Sequence, residues 1–461
     1  MKPTEPAATT PATAEPAATT PATAVHSAAG HSASVSGTSV SGTSGPRTGA
    51  ARSTAVPRTS APSTAALRSV VRDCAGSWRE QLVTLSHQLH AEPETAFQEH
   101  RSAAALARLA ESAGFTVERG VAGLPTAFSA VKGTGELVIA LCAEYDALPD
   151  IGHACGHNVN GAAALGAAIA LGEVADRLGI TVKLLGTPAE EDSGGKVYLL
   201  EAGLFDGVAA AMMAHANATD TVGNTSLAIG AWDIRYTGRS AHAAAAPWEG
   251  VNALDALTVA QTSIGLLRQQ FPPGSVVHGV VTDGGQAANV IPARTAAHYE
   301  VRAGTLERMR SLQRRVRACF EAGALATGAE LTMATRGRDF AELRQDPAMA
   351  EIYARAAEGL GRTVGRTPEP GGSTDMGNVS HVLPAIHPMI GYDTAGAVQH
   401  TREFAAAGTS EGADRAVLDA AVALAWTGVE LAADPGHRRR LLEPVRRRRG
   451  AAPASTAHRG T

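Results

Sequence analysis

The stretch LVIALCAEYDALPDIGHACGHN, residues 137–158, decides the fold. Its first seven residues are an unbroken apolar run of strand length, and a run without alternation marks a strand buried on both faces. From Asn158 an Ala-rich segment with helical character continues to about Leu178. Strand, polar loop, then helix is the repeating unit of a mainly parallel α/β sheet. The same alternation extends outward. FTVER (115–119), AFSAV (127–131), TVKLLGT (181–187) and VAAAMMAH (208–215) read as strands, and residues 194–202 as a helix. Upstream, Leu67–Glu92 and Glu99–Ala113 carry helical spacing, the second closed by Gly114 as a C-cap.

After about Thr225 the order changes to strand (227–237), helix (250–269), strands (275–282 and 293–302), helix (305–325) and strand (329–334). That βαββαβ order is a ferredoxin-like unit. From about Ala341 the α/β character resumes and ends in a helix at Ala413–Ala433, so the small unit is inserted in the larger one. The expected organisation is a catalytic domain over 66–226 and 341–435 with an inserted domain over 227–340. Residues 1–65 repeat EPAATTPATA and VSGTS and lack large apolar side chains, so a disordered tail is expected there. Residues 436–461 carry RRR and RRRR and are expected to form a basic disordered tail.

A 461-residue chain with 44% hydrophobic and 18% charged residues suits a globular enzyme. Its net charge of −4 gives no whole-molecule footprint for nucleic acid or anionic lipid. No run of about 18 apolar residues offers a membrane span, and the N-terminus lacks the apolar core of a secretory signal. Four scattered cysteines, Cys74, Cys142, Cys155 and Cys319, favour a reducing compartment; a cytoplasmic location is expected. The sequence contains no HExxH, GxSxG, GxxxxGK[ST], PCxxC or GxGxxG, which removes several competing chemistries.

The chemistry gathers at strand ends, where open α/β sheets bind ligands. In HACGHN, His153, Cys155 and His157 alternate, which in an extended loop sets their side chains on one side. Thiolate and imidazole together suit a borderline-soft ion such as zinc. PAEED (188–192) follows the TVKLLGT strand, and its adjacent carboxylates Glu190 and Glu191 raise each other's pKa unless a cation lies between them. One of such a pair can bind metal while its neighbour takes the proton of an attacking water. Asp146 follows another strand end and is placed to orient a histidine ligand. His215 ends a third strand.

HQLHAEPE (87–94), AEYDALP, HACGHN, GTPAEEDSGGK, MAHAN, GRSAHAAAAPWEGVNALDA, GGQAANVIP, GGSTDMGNVS and QHTREF run in the order of the aminoacylase/carboxypeptidase family of dinuclear metallohydrolases. The chain resembles this family over roughly residues 75–432, and more narrowly its amidohydrolase branch. Two departures, Asn158 where many relatives have Asp and STDMGNVS where many have SEDF, resemble p-aminobenzoyl-glutamate hydrolase subunits and peptidase-like dipeptide hydrolases. The resemblance implies a metallopeptidase catalytic domain with an inserted dimerisation or lid domain. It implies two divalent ions, zinc or manganese, on Cys155, His157, Glu191, His215 and His400, with Glu190 as general base and Asp146 in support. It also implies a homodimer in which His242 reaches a neighbouring subunit's site to polarise the scissile carbonyl, and substrate contacts from Asn289 and Arg302. The expected reaction is hydrolysis of the C–N amide bond of a small N-acyl amino acid, an aminobenzoyl-glutamate-like or a dipeptide-like substrate. The alternatives are a dipeptidase or carboxypeptidase of the same family, or an idle binding protein of the same fold.

Overall fold

The computed structural model describes residues 63–367 and 369–451. Strand Leu137–Ala143 falls where its apolar run predicts, with all but one residue buried. It sits inside a six-stranded sheet ordered Thr116–Arg119, Phe128–Lys132, Ile180–Gly186, Leu137–Ala143, Val208–Met212 and Ala385–Ile386. The last four run parallel, and the first two form an antiparallel edge.

Helix His157–Gly172, buried along its whole length, covers one face of the sheet. Helices Glu411–Ala433, Thr64–Ser77 and Arg79–Ala91 pack on it in turn. Its Ala and Gly residues make that close stacking possible, while the leucines and valines around it each contribute about 1.5–3 kcal/mol on burial. Against the expectation of no membrane-length segment, Glu411–Ala433 is, among the described residues, one helix long and apolar enough to span; 83% of its apolar window is buried in this core. The opposite face carries Gly195–Glu201 and Met376–Val382, whose Leu199, Met376 and Val379 share a core with Ala140, Cys142, Leu185 and Val208 of the sheet.

The inserted residues build a core of their own from Trp232, Tyr236, Leu257, Tyr299, Val316 and Phe320. Their four strands are antiparallel in the order Glu330–Phe340, Ala228–Thr237, Arg294–Ala303, Val276–Asp283, the ferredoxin-like 4-1-3-2 arrangement. Helices Ala253–Leu267 and Leu306–Thr327 cover one face.

Three differences from the sequence reading have physical causes. VAAAMMAH is not one strand. Val208–Met212 pairs with Ala385–Ile386, and His215–Asn217 pairs with Met389–Gly391 in a separate ladder. The partner segment contains Pro388, which has no N–H to donate and breaks the pairing between the two ladders. Strand Glu330–Phe340 runs six residues beyond the predicted end at 334, because its alternating charged residues hide strand character. The basic segment expected to be disordered over 436–461 is helical over Pro435–Ala451 and buries Leu441, Leu442 and Val445. Its arginines find fixed partners: Arg438 donates to the Leu178 and Gly179 carbonyls, Arg446 pairs with Glu136, and Arg448 donates to the Val208 carbonyl. Residues 452–461 and the low-complexity tail up to residue 62 lie outside the described residues.

Candidate metal centre

The parallel register sets Ala143 beside Gly186, so the loops leaving these strands, with Glu144–Asp146 and Pro188–Asp192, emerge side by side. Gly156, at φ +73°, turns the HACGHN loop into its helix; a Cβ there would lie 2.4 Å from the Ala216 Cβ. The PAEED turn is held by Ala189 in the left-handed region, at φ +58°, with its N–H donating to the buried Glu99 at 2.9 Å. Strained backbone of this kind persists only where surrounding structure enforces it.

His157 is fully buried, and its Nδ1 lies 3.0 Å from both the backbone carbonyl and Oδ1 of Asp146. Two acceptors on one nitrogen assign the proton to Nδ1 and turn the Nε2 lone pair into the site. That Nε2 has no hydrogen-bond partner, although Glu144 Oε2 lies at 3.4 Å and Glu190 and Glu191 oxygens at 3.9 Å. Asp146 Oδ2 accepts from the Glu191 N–H at 2.9 Å, so one carboxylate orients both a histidine and the PAEED turn.

Cys155, His157 and His215 bring one donor atom each within 4.8 Å of one another, as do Cys155, Glu191 and His400, and His157, Glu190 and Glu191. Glu191 Oε1 is a further buried polar atom without a partner. His215 directs Nδ1 to the Ala216 carbonyl at 2.9 Å, which turns Nε2 towards Glu144. His400 sits at φ +65° with its Nε2 3.6 Å from Glu191, and its ring is 60% exposed at the mouth.

His153 departs from its alternating neighbours. It turns away to bond the Leu89 carbonyl and stacks at 6.4 Å on His90, because the loop is coiled rather than extended. Asn158 does not cap the helix; its amide reaches Ser86 and the Gly408 carbonyl. His242 and Asn289 are exposed and joined through the Asn289 carbonyl and the Ala243 N–H, away from the cavity of this chain. Arg302 does line the cavity, pairing with Glu300 at 2.9 Å.

The structure adds residues that the sequence did not single out. Lys196 is fully buried with its Nζ 2.6 Å from Glu144 and 2.6 Å from Asp375. Asn160 bridges Glu144 and the Ala216 N–H. His387 is buried, its ring 5.1 Å from that of His215. The GGK and STD letters were visible, but their pairing links positions 179 residues apart.

Charge at this centre is lopsided. Glu144, Asp146, Glu190 and Asp375 are buried with Glu191 beside them, and Lys196 is the buried lysine among them. Burial opposes ionisation of Glu144, but Lys196 and then His157 outweigh it and hold the carboxyl below its usual range. Burial pushes Glu190 well up, and Glu144 and Glu191 push it further. Burial disfavours charge on His157, yet Asp146 and Glu144 overcome it and favour a cation at that ring. A surplus of buried carboxylates around orphaned nitrogen and oxygen atoms fits divalent metal ions held by thiolate, imidazole and carboxylate.

The centre opens into a cleft lined by residues of both the larger part and the insertion. One wall carries Cys155, Glu190, His215 and His387 from the larger part, and the other carries His298, Glu300, Arg302, Arg336 and Arg338 from the insertion. Arg336 spans the two, bonding Asp192 at 2.8 Å.

The profile of peptidase family M20/M25/M40 matches residues 140–422. The chain is 38% identical over 387 residues to the mouse (Mus musculus) Xaa-Arg dipeptidase, covering 80% of this chain and 88% of that protein. It is 37% identical over 278 residues to one of the p-aminobenzoyl-glutamate hydrolase subunits of Escherichia coli K12, covering 56% of this chain and 58% of the relative. Its fold matches the crystal structure of a dinuclear metal-binding peptidase of family M20 from Bacillus subtilis. The TM-score is 0.58 at 23% identity, covering 78% and 99% of the two chains.

Proposed function

The chain belongs to peptidase family M20/M25/M40 and hydrolyses amide bonds, and we propose that its substrate is a dipeptide with a basic C-terminal residue. The observation that carries the catalytic part is the convergence of the orphaned His157 Nε2 and Glu191 Oε1 with Cys155, His215 and His400 beside Glu190. The substrate class is supported by the similarity to the Xaa-Arg dipeptidase along most of both chains. In this reading Arg302 takes the terminal carboxylate, and Asp192 and Glu300 exchange their present arginine partners, Arg336 and Arg302, for a basic side chain of the substrate. An aminobenzoyl-glutamate-like substrate is the second reading, favoured by the three arginines on the insertion wall and the bacterial relative.

Two divalent ions, zinc or manganese, are held in this reading by Cys155, His157, Glu191, His215 and His400. They would supply Lewis acidity to the water and the scissile carbonyl. Glu190, whose carboxyl is buried among other carboxylates and therefore basic, takes the water's proton and hands it to the leaving nitrogen. Asp146 keeps the His157 lone pair aimed inward.

We also propose a homodimer built on the insertion. The edge strand Val276–Asp283 exposes Val276, Val280 and Val281, and an open apolar edge is a ready site for pairing with a second copy. His242 and Asn289, exposed on the same insertion, would then serve the partner's cavity. A cytoplasmic location is supported by four free cysteines.

The test combines elemental analysis with turnover of Ala-Arg, Ala-Lys, N-acetyl-arginine and aminobenzoyl-glutamate. Glu190→Gln should keep its metal and lose turnover of Ala-Arg by about 100-fold or more. Wild-type activity in that variant would refute the mechanism, and turnover of aminobenzoyl-glutamate alone would shift the assignment to the second reading.

A further inference from the structure

His387 is 2% exposed, yet neither ring nitrogen has a hydrogen-bond partner. Buried polar side-chain atoms are nearly always paired, so two orphans on one ring demand a reason. The ring is not loosely held. The His387 N–H donates to Gln345 Oε1 at 2.8 Å, and its carbonyl accepts from Asn224 Nδ2 at 2.9 Å. Gln345 is itself anchored on the Val222 and Asn224 carbonyls, and Pro388 stiffens the next link. Backbone fixed on both sides therefore holds an unsatisfied imidazole in the wall of the cavity that Cys155, Glu190 and His215 line.

A neutral imidazole offers one donor and one acceptor. The insertion wall, with Arg302, Glu300 and Arg336, suits the charged groups of the leaving half of the substrate. The wall formed by the larger part has Cys155, Glu190 and His215, and there His387 stands 5.1 Å ring to ring from His215.

We propose that His387 is a substrate-binding residue that hydrogen-bonds the acyl half of the substrate beside the scissile carbonyl. The assignment rests on the dipeptide reading above. It gives His387 no part in holding metal, and it makes the orphaned nitrogens a specificity device: a site built to hydrogen-bond its ligand rejects analogues that leave those atoms unpaired.

The test uses metal-loaded protein carrying Glu190→Gln, so that binding is measured without turnover. Affinities for Ala-Arg and for free arginine are compared by calorimetry with and without His387→Leu and His387→Gln. The expected result is roughly 10-fold or greater weakening of Ala-Arg by His387→Leu with partial recovery in His387→Gln. Arginine affinity and metal content should stay unchanged. The melting temperature of His387→Leu should hold or rise, since leucine removes two unsatisfied polar atoms. Unchanged Ala-Arg affinity, equal weakening of free arginine, loss of metal, or no binding of Ala-Arg to either protein would each overturn the assignment. Wild-type turnover of the substrate panel is scored separately: an enzyme inert on Ala-Arg sinks the dipeptide reading and the assignment with it, whereas turnover of Ala-Arg with its affinity unchanged by His387→Leu overturns the His387 assignment alone.

Discussion

Replacing Lys196 with methionine removes the buried ammonium from among the carboxylates of the centre. Its Nζ is 2.6 Å from both Glu144 and Asp375, and all three side chains are closed to solvent. Methionine keeps the stem and its packing, so the cost lies in the two stranded carboxylates. Burial already pushes Asp375 up to about 6 against the pull of Lys196, so without the lysine it takes a proton at neutral pH. That relieves one of the two charges and leaves Glu144 as the ion that has lost its chief partner, with His157 the largest remaining offset. Breaking a buried pair from one side costs about 3–5 kcal/mol. At about 2–4 °C per kcal/mol for domains of 150–250 residues, the melting temperature should fall by on the order of 10 °C. Urea unfolding at pH 7 on metal-free protein gives the midpoint and the slope, and the slope should not change. Lys196→Met/Asp375→Asn should cost little more than Lys196→Met, because the second carboxyl is already neutral. A Lys196→Met protein that melts within about 2 °C of wild type would refute the reasoning, as would a double variant whose costs simply add.

Cys155→Ser exchanges a soft donor for a hard one, so zinc affinity should fall by about 10-fold or more and the melting gain on adding zinc should shrink; an unchanged gain speaks against Cys155 as a ligand. For Glu94, burial raises the carboxyl pKa, but the N–H groups of Ser102 and Arg101 and the Ser102 hydroxyl outweigh it and the net shift is downward. Its stabilising effect is therefore present above the unfolded value of 4.5 and lost as pH falls through the lowered folded value. Wild type should out-melt Glu94→Gln at pH 7 and lose that lead on acidification; a lead that grows in acid reverses the sign. His242→Ala and Glu190→Gln should each be inactive, yet mixed and re-equilibrated dimers should recover up to about a quarter of wild-type activity from hybrids with one intact site. No recovery would confine His242 to its own subunit or remove it from the reaction.

The sequence was most legible where local pattern and global position agree. LVIALCA is a strand with the bounds its apolar run predicts, and the parallel register then sets the EYD and PAEED loops together without further information. HACGHN was legible as chemistry but not as geometry. Alternation predicted three side chains on one side, and a coiled loop sent His153 to Leu89 instead. Lys196, Asp375 and His387 were not legible, because a lysine or histidine shows its burial only through partners far away in the chain. The basic segment misled because a run of arginines resembles a solvated tail; Leu441, Leu442 and Val445 between them carry the apolar stripe that docks it.

That docked helix closes the end of the sheet opposite the metal centre. Arg438, Arg446 and Arg448 meet the chain just before or at the start of strands Ile180–Gly186, Leu137–Ala143 and Val208–Met212. The residues they meet are synthesised 240–310 residues before the arginines that seal them. A nascent chain must therefore hold its central strands with their lower ends open until the ribosome has released residues 435–451. Chaperone dependence and sensitivity to nonsense truncation should concentrate in that interval. For the same reason an affinity tag placed within 435–451 would compete with folding, whereas one placed beyond residue 451 leaves the seal intact.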